Sequence, residues 1–388
     1  MTSDRKVKVV IFQRVLPHYR VGIFETIHNS QKFDYSFCIG TKSDESALHL
    51  SRETPFPVRY RDIWSFQPSK RKSPRYFQPA EIAAALGRKY KVLVMNADYH
   101  IVSYILASLL GRLCGKKIIH WGHGVPHSGP EKGLRWWLRK KVNRLAHAFL
   151  LYGKREYALY AERGVDMGRY FVLNNALDTR PVQAMIDALT PQELEAFQKE
   201  QGLLGRRVLI YTGRLLKNKC LDQALAAMPR ILAKIPNAKL LLIGDGPEMA
   251  NLQAQARQLN IEDAVLFTGG VFDDATLTRY YLSSELAISP GYVGLMVNHA
   301  FMYGLPVLTN DNLWSHSPEV AMIKPGETGV FYKDKDIDAL ADSAVELLSA
   351  PQELARMREN CRQMIAAEYN ERYMAGMFDN AVQYVLKR

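Results

Sequence analysis

Apolar positions along the chain gather into short runs separated by amphipathic stretches. Residues 6–12 (KVKVVIF), 34–39 (DYSFCI), 91–97 (KVLVMNA) and 116–124 (KKIIHWGHG) are runs of strand type, with an amphipathic stretch over 21–27 and a helix over 100–113. Strands alternating with helices predict a parallel, doubly wound sheet. Residues 41–80 are polar, rich in Arg, Lys and Pro, and read as a long irregular connection.

The pattern restarts after TPQELEAFQKEQG (190–202), which opens with a Thr-x-x-Glu capping box at Thr190 and Glu193. Strands follow over 206–213, 238–246, 264–270 and 285–290, with shorter ones at 306–311 and 329–332. Helices are expected over 221–234, about 247–258, about 336–349 and 351–367. The tail 371–388 is an amphipathic helix in which Met374, Met377, Phe378, Val382 and Val385 recur at helical spacing. Two consecutive doubly wound α/β domains bind ligands at their strands' carboxyl ends.

Composition narrows the class. With 388 residues, 47% hydrophobic and 23% charged, the chain has the make-up of a soluble two-domain enzyme. Cys38, Cys114, Cys220 and Cys361 show neither pairing nor metal-ligand spacing, which suits a reducing cytosol. The first residues lack the apolar stretch of a signal peptide, and the longest apolar run, 101–110 (IVSYILASLL), is too short to span a bilayer. The expected location is the cytoplasm, with peripheral attachment to the inner face of the cytoplasmic membrane left open. The net charge of +12 is uneven: residues 1–180 hold 31 Lys and Arg against 14 Asp and Glu, and the remainder 20 against 25. The basic character therefore belongs to the first half and its partners.

Chemistry concentrates in the second half. TGRLLKNK (212–219) follows directly on a strand and places Arg214 and Lys219 five apart across a loop. Two cations there can stabilise charge developing on a diphosphate leaving group, or form a merely solvated basic turn. IGDGPE (243–248) and FTGGV (267–271) put glycines at strand–helix junctions, where backbone amides can meet an anion or a ring. In SPGYVGLMVNHAFMYGLPVLTND (289–311), a strand end runs into Ser289, Pro290 and Gly291, and Gly294, Leu295 and Met296 open a helix. That is the build of an anion-binding turn, yet no carboxylate lies between Glu285 and Asp311.

The ordered set TGRL…K, IGDGP, FTGGV, SPG-x-x-GL, A-x-x-YG-x-PV, PEV and G-x-TG resembles the retaining glycosyltransferases of family 4 (group 1), best over residues 207–332. The resemblance implies a GT-B fold: two doubly wound Rossmann-like domains facing each other across a cleft, with a C-terminal helix crossing back to the N-terminal domain. It assigns 1–180 with 371–388 to an acceptor-side domain, 203–370 to a nucleotide-sugar-binding domain and 181–202 to a helical linker. Arg214 and Lys219 match the family's diphosphate-binding pair. Gly244, Asp245 and Gly246 lie in its donor-domain loop, Val271 falls where backbone meets the nucleotide base, and Gly294, Leu295 and Met296 match the segment that contacts donor sugar and phosphates. No cofactor and no metal are implied. The donor is a nucleotide diphosphate sugar, UDP- or GDP-linked in the first instance.

The sequence departs from the family at two positions. Two glutamates eight apart are replaced by Gly291 and His299. His299 can still hydrogen-bond a ribose through a ring nitrogen, whereas Gly291 cannot replace a carboxylate. The implied mechanism is front-face attack in which the leaving diphosphate helps to take the acceptor's proton. Cations then matter more than a protein carboxylate, and the departure bears on donor choice more than on chemistry.

In the first half, His123 of HWGHGVP (120–126) matches the family's active-site histidine; a histidine satisfied within the turn, near His120, His127 and His147, is the alternative. Arg14, Tyr19 and Arg20 after the first strand, and Asp98 after KVLVMNA, are candidates for the acceptor side. GLRWWLRKKVNRLAHAFL (133–150) reads as a basic amphipathic helix: Leu134, Trp137, Leu138, Lys141, Val142 and Leu145 recur near helical spacing among Arg135, Arg139, Lys140 and Arg144. It suits an anionic membrane surface, or a core-packed helix with a solvated cationic face.

The leading expectation is transfer of a sugar to a saccharide acceptor, lipid-linked, in surface polysaccharide biosynthesis. Another GT-B enzyme such as a nucleotide-sugar epimerase or a phosphorylase, an inactive GT-B binding protein, and nucleic-acid binding by residues 59–75 are the alternatives.

Overall fold

Residues 9–12 of KVKVVIF are at most 2% exposed, and residues 92–95 and 208–211 are as deeply buried. Continuous apolar runs of this kind are what a parallel sheet covered by helices on both faces requires. The computed structural model describes residues 6–41, 53–67, 74–124 and 132–388. It divides into two compact units, Met1–Asp178 with Tyr369–Arg388, and Thr179–Glu368.

The first unit contains, in chain order, β1 (Lys8–Gln13), α1 (Val21–His28), β2 (Asp34–Gly40), β3 (Val58–Arg61), β4 (Trp64–Phe66), β5 (Arg75–Phe77), α2 (Pro79–Leu86), β6 (Val92–Asn96), α3 (Ser103–Leu113), β7 (Lys117–Gly122), α4 (Gly133–Asn143), β8 (Ala148–Leu151), α5 (Lys154–Glu162) and β9 (Tyr170–Val172). Seven strands pair in parallel in the order β3-β2-β1-β6-β7-β8-β9, and β4 and β5 form a separate antiparallel pair. The chain reverses its direction of strand addition between β1 and β6, which makes that junction the sheet's topological switch point.

Two expectations change here. The connection 41–80 carries β3, β4, β5 and the start of α2, with 42–52 and 68–73 outside the described residues. The helix expected over 133–150 ends at Asn143, and its last three expected positions, 148–150, fall in β8. Ala148 to Leu151 are buried between β7 and β9, where pairing on both sides outweighs the local helical pattern. The amide of Ile118 donates to His147 Nδ1 (3.0 Å) and the amide of His147 to the Ile118 carbonyl (2.7 Å), which fixes the turn into β8.

The second unit runs through α6 (Arg180–Ala188), α7 (Pro191–Glu200), β10 (Arg207–Thr212), α8 (Leu221–Lys234), β11 (Ala238–Ile243), α9 (Met249–Gln258), β12 (Val265–Gly269), α10 (Asp274–Leu282), β13 (Leu286–Ser289), α11 (Met296–Met302), β14 (Val307–Asn310), β15 (Gly329–Tyr332), α12 (Ile337–Ser349) and α13 (Pro351–Glu368). Its sheet is parallel, ordered β12-β11-β10-β13-β14-β15, with the switch point between β10 and β13. The capping box opens α7: the Glu193 amide donates to Thr190 Oγ1 (3.3 Å) and the Thr190 amide to Glu193 Oε2 (2.9 Å). Phe197 packs edge-on against Tyr280 at 4.8 Å and Tyr280 donates to Gln201 (2.8 Å), so α7 lies on α10 of this unit.

The last helix, α14 (Glu371–Leu386), belongs to the first unit. Its apolar stripe Met374, Phe378, Ala381, Val382 and Val385 is wholly buried in the core formed with Ile23, Phe24, Phe37 and Trp121. Phe378 meets the Trp121 ring edge-on at 5.1 Å, and Asp379 accepts from Tyr35 (2.9 Å) and Ser30 (3.0 Å).

Candidate active site

In the second unit, the loops leaving β10, β11 and β13 are knitted together by backbone hydrogen bonds. The Gly213 amide donates to Ile243, Leu215 to Asp245 and Glu248 back to Leu215 (2.9, 2.9 and 3.2 Å). This approach is close enough to need glycine. A Cβ on Gly244 would overlap the Gly213 carbonyl oxygen, and one on Gly246 the Leu215 carbonyl oxygen; Gly244 also has φ +145°. Asp245 turns its carboxylate onto the Gly246 amide (2.7 Å) and so braces its own loop. Val271 lies two residues after β12, beside the exposed Phe272.

The turn after β13 is held as tightly. Gly291 donates to the Lys219 carbonyl and Tyr292 to the Asn218 carbonyl, both at 2.9 Å. A Cβ at 291 would overlap the backbone of Asn218 and Lys219, so no larger residue fits there while these bonds stand. Val293 donates to His316 Nδ1 (3.1 Å), which leaves Nε2 to donate to the Asn310 carbonyl (3.1 Å) and fixes a neutral tautomer. Asn310 donates to the Pro290 carbonyl (2.7 Å), and the Ser317 amide to the Val293 carbonyl (3.1 Å). A side chain at 291, a carboxylate included, is therefore excluded by how the two loops pack.

Arg214 is exposed at this edge, while Lys219 turns inward. Lys219 Nζ donates to the Tyr292 carbonyl (2.8 Å) and lies 4.6 Å from that ring's centre; burial pushes its pKa down to about 8. Gly294 and Leu295 lead into α11, whose seven residues start at Met296. The ring of His299 lies parallel to Tyr281, with centres 6.5 Å apart, and Tyr281 stacks in turn on Tyr303 at 4.5 Å and bonds Thr212. An aromatic ladder thus sets the orientation of His299.

In the first unit a cavity of about 850 Å³ opens at the carboxyl ends of β1, β6 and β7, lined among others by Arg14, Asp98, His123, Arg139 and Tyr152. Gly122 lies against the Ala97 carbonyl, where a Cβ would approach to 2.9 Å, and Ala97 donates to Trp121 (2.8 Å). The His123 ring lies 4.5 Å from that of Tyr152. Arg139 donates to the Gly124 carbonyl (2.8 Å) and covers the Tyr99 ring at 3.8 Å. Val125, Pro126 and His127 lie outside the described residues.

The structure brings Arg14, Asp98 and His123 to one cavity and leaves Tyr19 and Arg20 out of its lining. Arg20 is 7% exposed, bonds Asn175 and Met374, and faces the Trp121 and Tyr152 rings at 5.3 Å. It pins α14 and the 174–175 turn, which makes it a structural cation. The sequence reading also missed Arg139, which the helical pattern placed among solvated cations, and His316, whose role depends on two distant backbone atoms. Asn298 and Ser289, buried beside the turn after β13 with side-chain polar atoms that meet no protein partner, gave no sequence signal.

Residues 193–364 match the family model described as glycosyl transferases group 1. The fold is GT-B. Over 97% of this chain and 99% of the other, it superposes on the crystal structure of Anabaena Alr3699/HepE in complex with UDP, with a TM-score of 0.69 and 15% identity. The lipopolysaccharide outer core galactosyltransferase WaaB matches at a TM-score of 0.66, 16% identity and the same coverage of both chains. Among curated proteins, the chain is 27% identical over 197 residues to the N-acetyl-alpha-D-glucosaminyl L-malate synthase of Bacillus anthracis, covering 50% of each. It is 25% identical over 193 residues to a GDP-mannose-dependent alpha-(1-6)-phosphatidylinositol monomannoside mannosyltransferase of Mycolicibacterium smegmatis, covering 47% of this chain and 50% of that one. The matched segment spans about half the length of these curated relatives.

Proposed function

We propose that the protein is a retaining, metal-independent glycosyltransferase that moves a sugar from a nucleoside diphosphate sugar to a saccharide hydroxyl. The observation that carries the reading is the donor turn: loops after β10, β11 and β13 interlocked at the switch point of a group 1 glycosyltransferase segment, with Arg214 exposed at its edge and Lys219 held against it. In this reading the donor's C1–O bond to diphosphate breaks as the acceptor oxygen bonds to C1, and the acceptor's proton passes to the departing diphosphate. Arg214 and Lys219 stabilise the charge that develops there. His123, in the first unit's cavity, contacts the donor sugar, and Arg14 and Asp98 receive the acceptor. His299 addresses the ribose.

That Gly291 is required by backbone packing supports a working variant site over a damaged one. The curated relatives and solved neighbours are named for both GDP-linked and UDP-bound cases, so either base is compatible with the fold. Leu134, Trp137 and Leu138 of α4 are half or more exposed beside Arg135, Lys140, Lys141 and Arg144, which supports a lipid-linked acceptor met at an anionic membrane surface in polysaccharide assembly. Among the described residues no helix is long and apolar enough to cross a membrane.

A thermal-shift panel of UDP, GDP, ADP, CMP and their common sugar conjugates tests the reading. One diphosphate should raise the melting temperature of the wild type and lose that effect in Arg214→Ala. No shift with any nucleotide would sink the donor-site assignment and favour a binding protein.

A further inference from the structure

The first unit carries a second concave surface at the opposite, amino edge of its sheet. A cavity of about 480 Å³ is lined by Lys6, Lys8, Arg88, Lys89, Lys91 and Lys116 together with Tyr90, Cys114 and Gly115, and none of these nine residues bears a carboxylate. Strand register explains the crowding. Val9 pairs with Val92 and Val92 with Lys117, so Lys8, Lys91 and Lys116, one position earlier on three neighbouring strands, stand side by side. Adjacent strands are ~4.8 Å apart. Like charges abreast across a sheet oppose folding unless something neutralises them. Among the described residues none of the six cations forms an ion pair.

The cluster is also held in place. Lys116 is 9% exposed and donates to the Tyr90 carbonyl (2.9 Å), Lys6 donates to Ser30 (3.2 Å), and Lys89 lies over the Tyr90 ring at 5.3 Å. The Lys91 amide bonds the Lys8 carbonyl and the Lys117 amide the Lys91 carbonyl, both at 3.0 Å, so the row cannot splay without breaking the sheet. Asp34, opposite Lys8 in β2, lines a neighbouring cavity with Lys8, Arg59 and Lys89 and lies outside the lining of the bowl.

We infer that this bowl is a binding site for a phosphate-dense anion, separate from the donor turn. Several ammonium groups converging on one concavity suit the closely spaced oxygens of linked or clustered phosphates better than a single carboxylate. The site needs neither the donor reading nor the exposed face of α4.

Titration calorimetry with inorganic triphosphate tests it in the full-length Arg214→Ala protein, which removes the donor turn's competing cation. One equivalent should bind. Lys8→Ala/Lys91→Ala in that background should weaken binding by about tenfold or more, the loss expected from two charge-assisted contacts. Lys8→Arg/Lys91→Arg should retain it. Binding that is absent, or unchanged in the alanine pair, would overturn the inference. Pelleting with vesicles of phosphatidylcholine and phosphatidylglycerol separates the sources of phosphate. Association that triphosphate competes away and the alanine pair lacks assigns a lipid headgroup; triphosphate binding without association assigns a free anion; both uphold the site. A single-stranded RNA that displaces triphosphate at well below triphosphate's own dissociation constant would reassign the surface to nucleic acid.

Discussion

At the scale of single residues, the donor turn is decided by backbone proximity as much as by side-chain chemistry. Restoring an acid at 291 is the obvious repair on sequence grounds, and the structure predicts that it fails. Gly291→Glu drives Cβ into the Asn218 and Lys219 backbone, so the loops must part and the Lys219 bond to Tyr292 is lost. Even Gly291→Ala should cost roughly 1–3 kcal/mol as an overpacked site, read as a lower melting temperature with a weakened nucleotide shift. Wild-type stability and nucleotide response in Gly291→Glu would show that the loop tolerates what the packing forbids. Lys219 gives a second prediction. Its pKa is about 8, so the ammonium that the proposed function sets against a diphosphate is present below that pH and lost above it. Nucleotide affinity should therefore fall as pH rises from 7 to 9, and Lys219→Arg should flatten the profile because a guanidinium stays charged. Without nucleotide the sign reverses. The unfolded chain keeps the lysine proton up to the ordinary value of 10.5, so lowered burial cost makes the free protein gain stability between about 8 and 10.5 from this group.

At the scale of elements, α4 shows where local pattern and tertiary context part. Its period suggested a helix with an apolar face continuing to residue 150; the structure stops it at Asn143, buries Arg139 and leaves Leu134, Trp137 and Leu138 outside. Leu134→Ser/Trp137→Ser should thus leave the melting temperature nearly unchanged, within about 0.5 kcal/mol as for exposed positions, while reducing co-sedimentation with anionic vesicles. Loss of stability instead would mean that these side chains pack where they look exposed. β1, β2, β6, β7 and the strands of the second sheet, short ones included, were legible because apolar runs bounded by turn residues have few other uses. β3, β8 and β9 were not: each lies in a stretch that reads locally as irregular or helical, and its strand state comes from pairing with a neighbour rather than from its own pattern. The site divides in the same way. Gly244, Gly246 and Lys219 announce themselves through motif spacing. The positioning roles of His316, Asn310 and Arg20 rest on contacts with residues far away in sequence, which no local pattern encodes.

At the scale of the whole molecule, the chain begins and ends in the same unit, with the donor-turn unit inserted between. The last twenty residues are then a structural part of a sheet begun some 360 residues earlier, because Phe378 and its neighbours complete the core over Trp121 and Phe24. Calorimetry should resolve this topology. Phe378→Ala leaves a cavity in a wholly buried position and should cost about 3–5 kcal/mol, lowering the transition of the first unit. A nucleoside diphosphate at a hundred times its dissociation constant should raise the second unit's transition by an amount equivalent to about 2.7 kcal/mol. The two shifts should occur in different transitions, although the mutated residue follows the second unit in sequence. If Phe378→Ala and nucleotide moved one common transition, the units would unfold as a single cooperative block, and the tail would stabilise the donor turn as directly as it stabilises its own sheet.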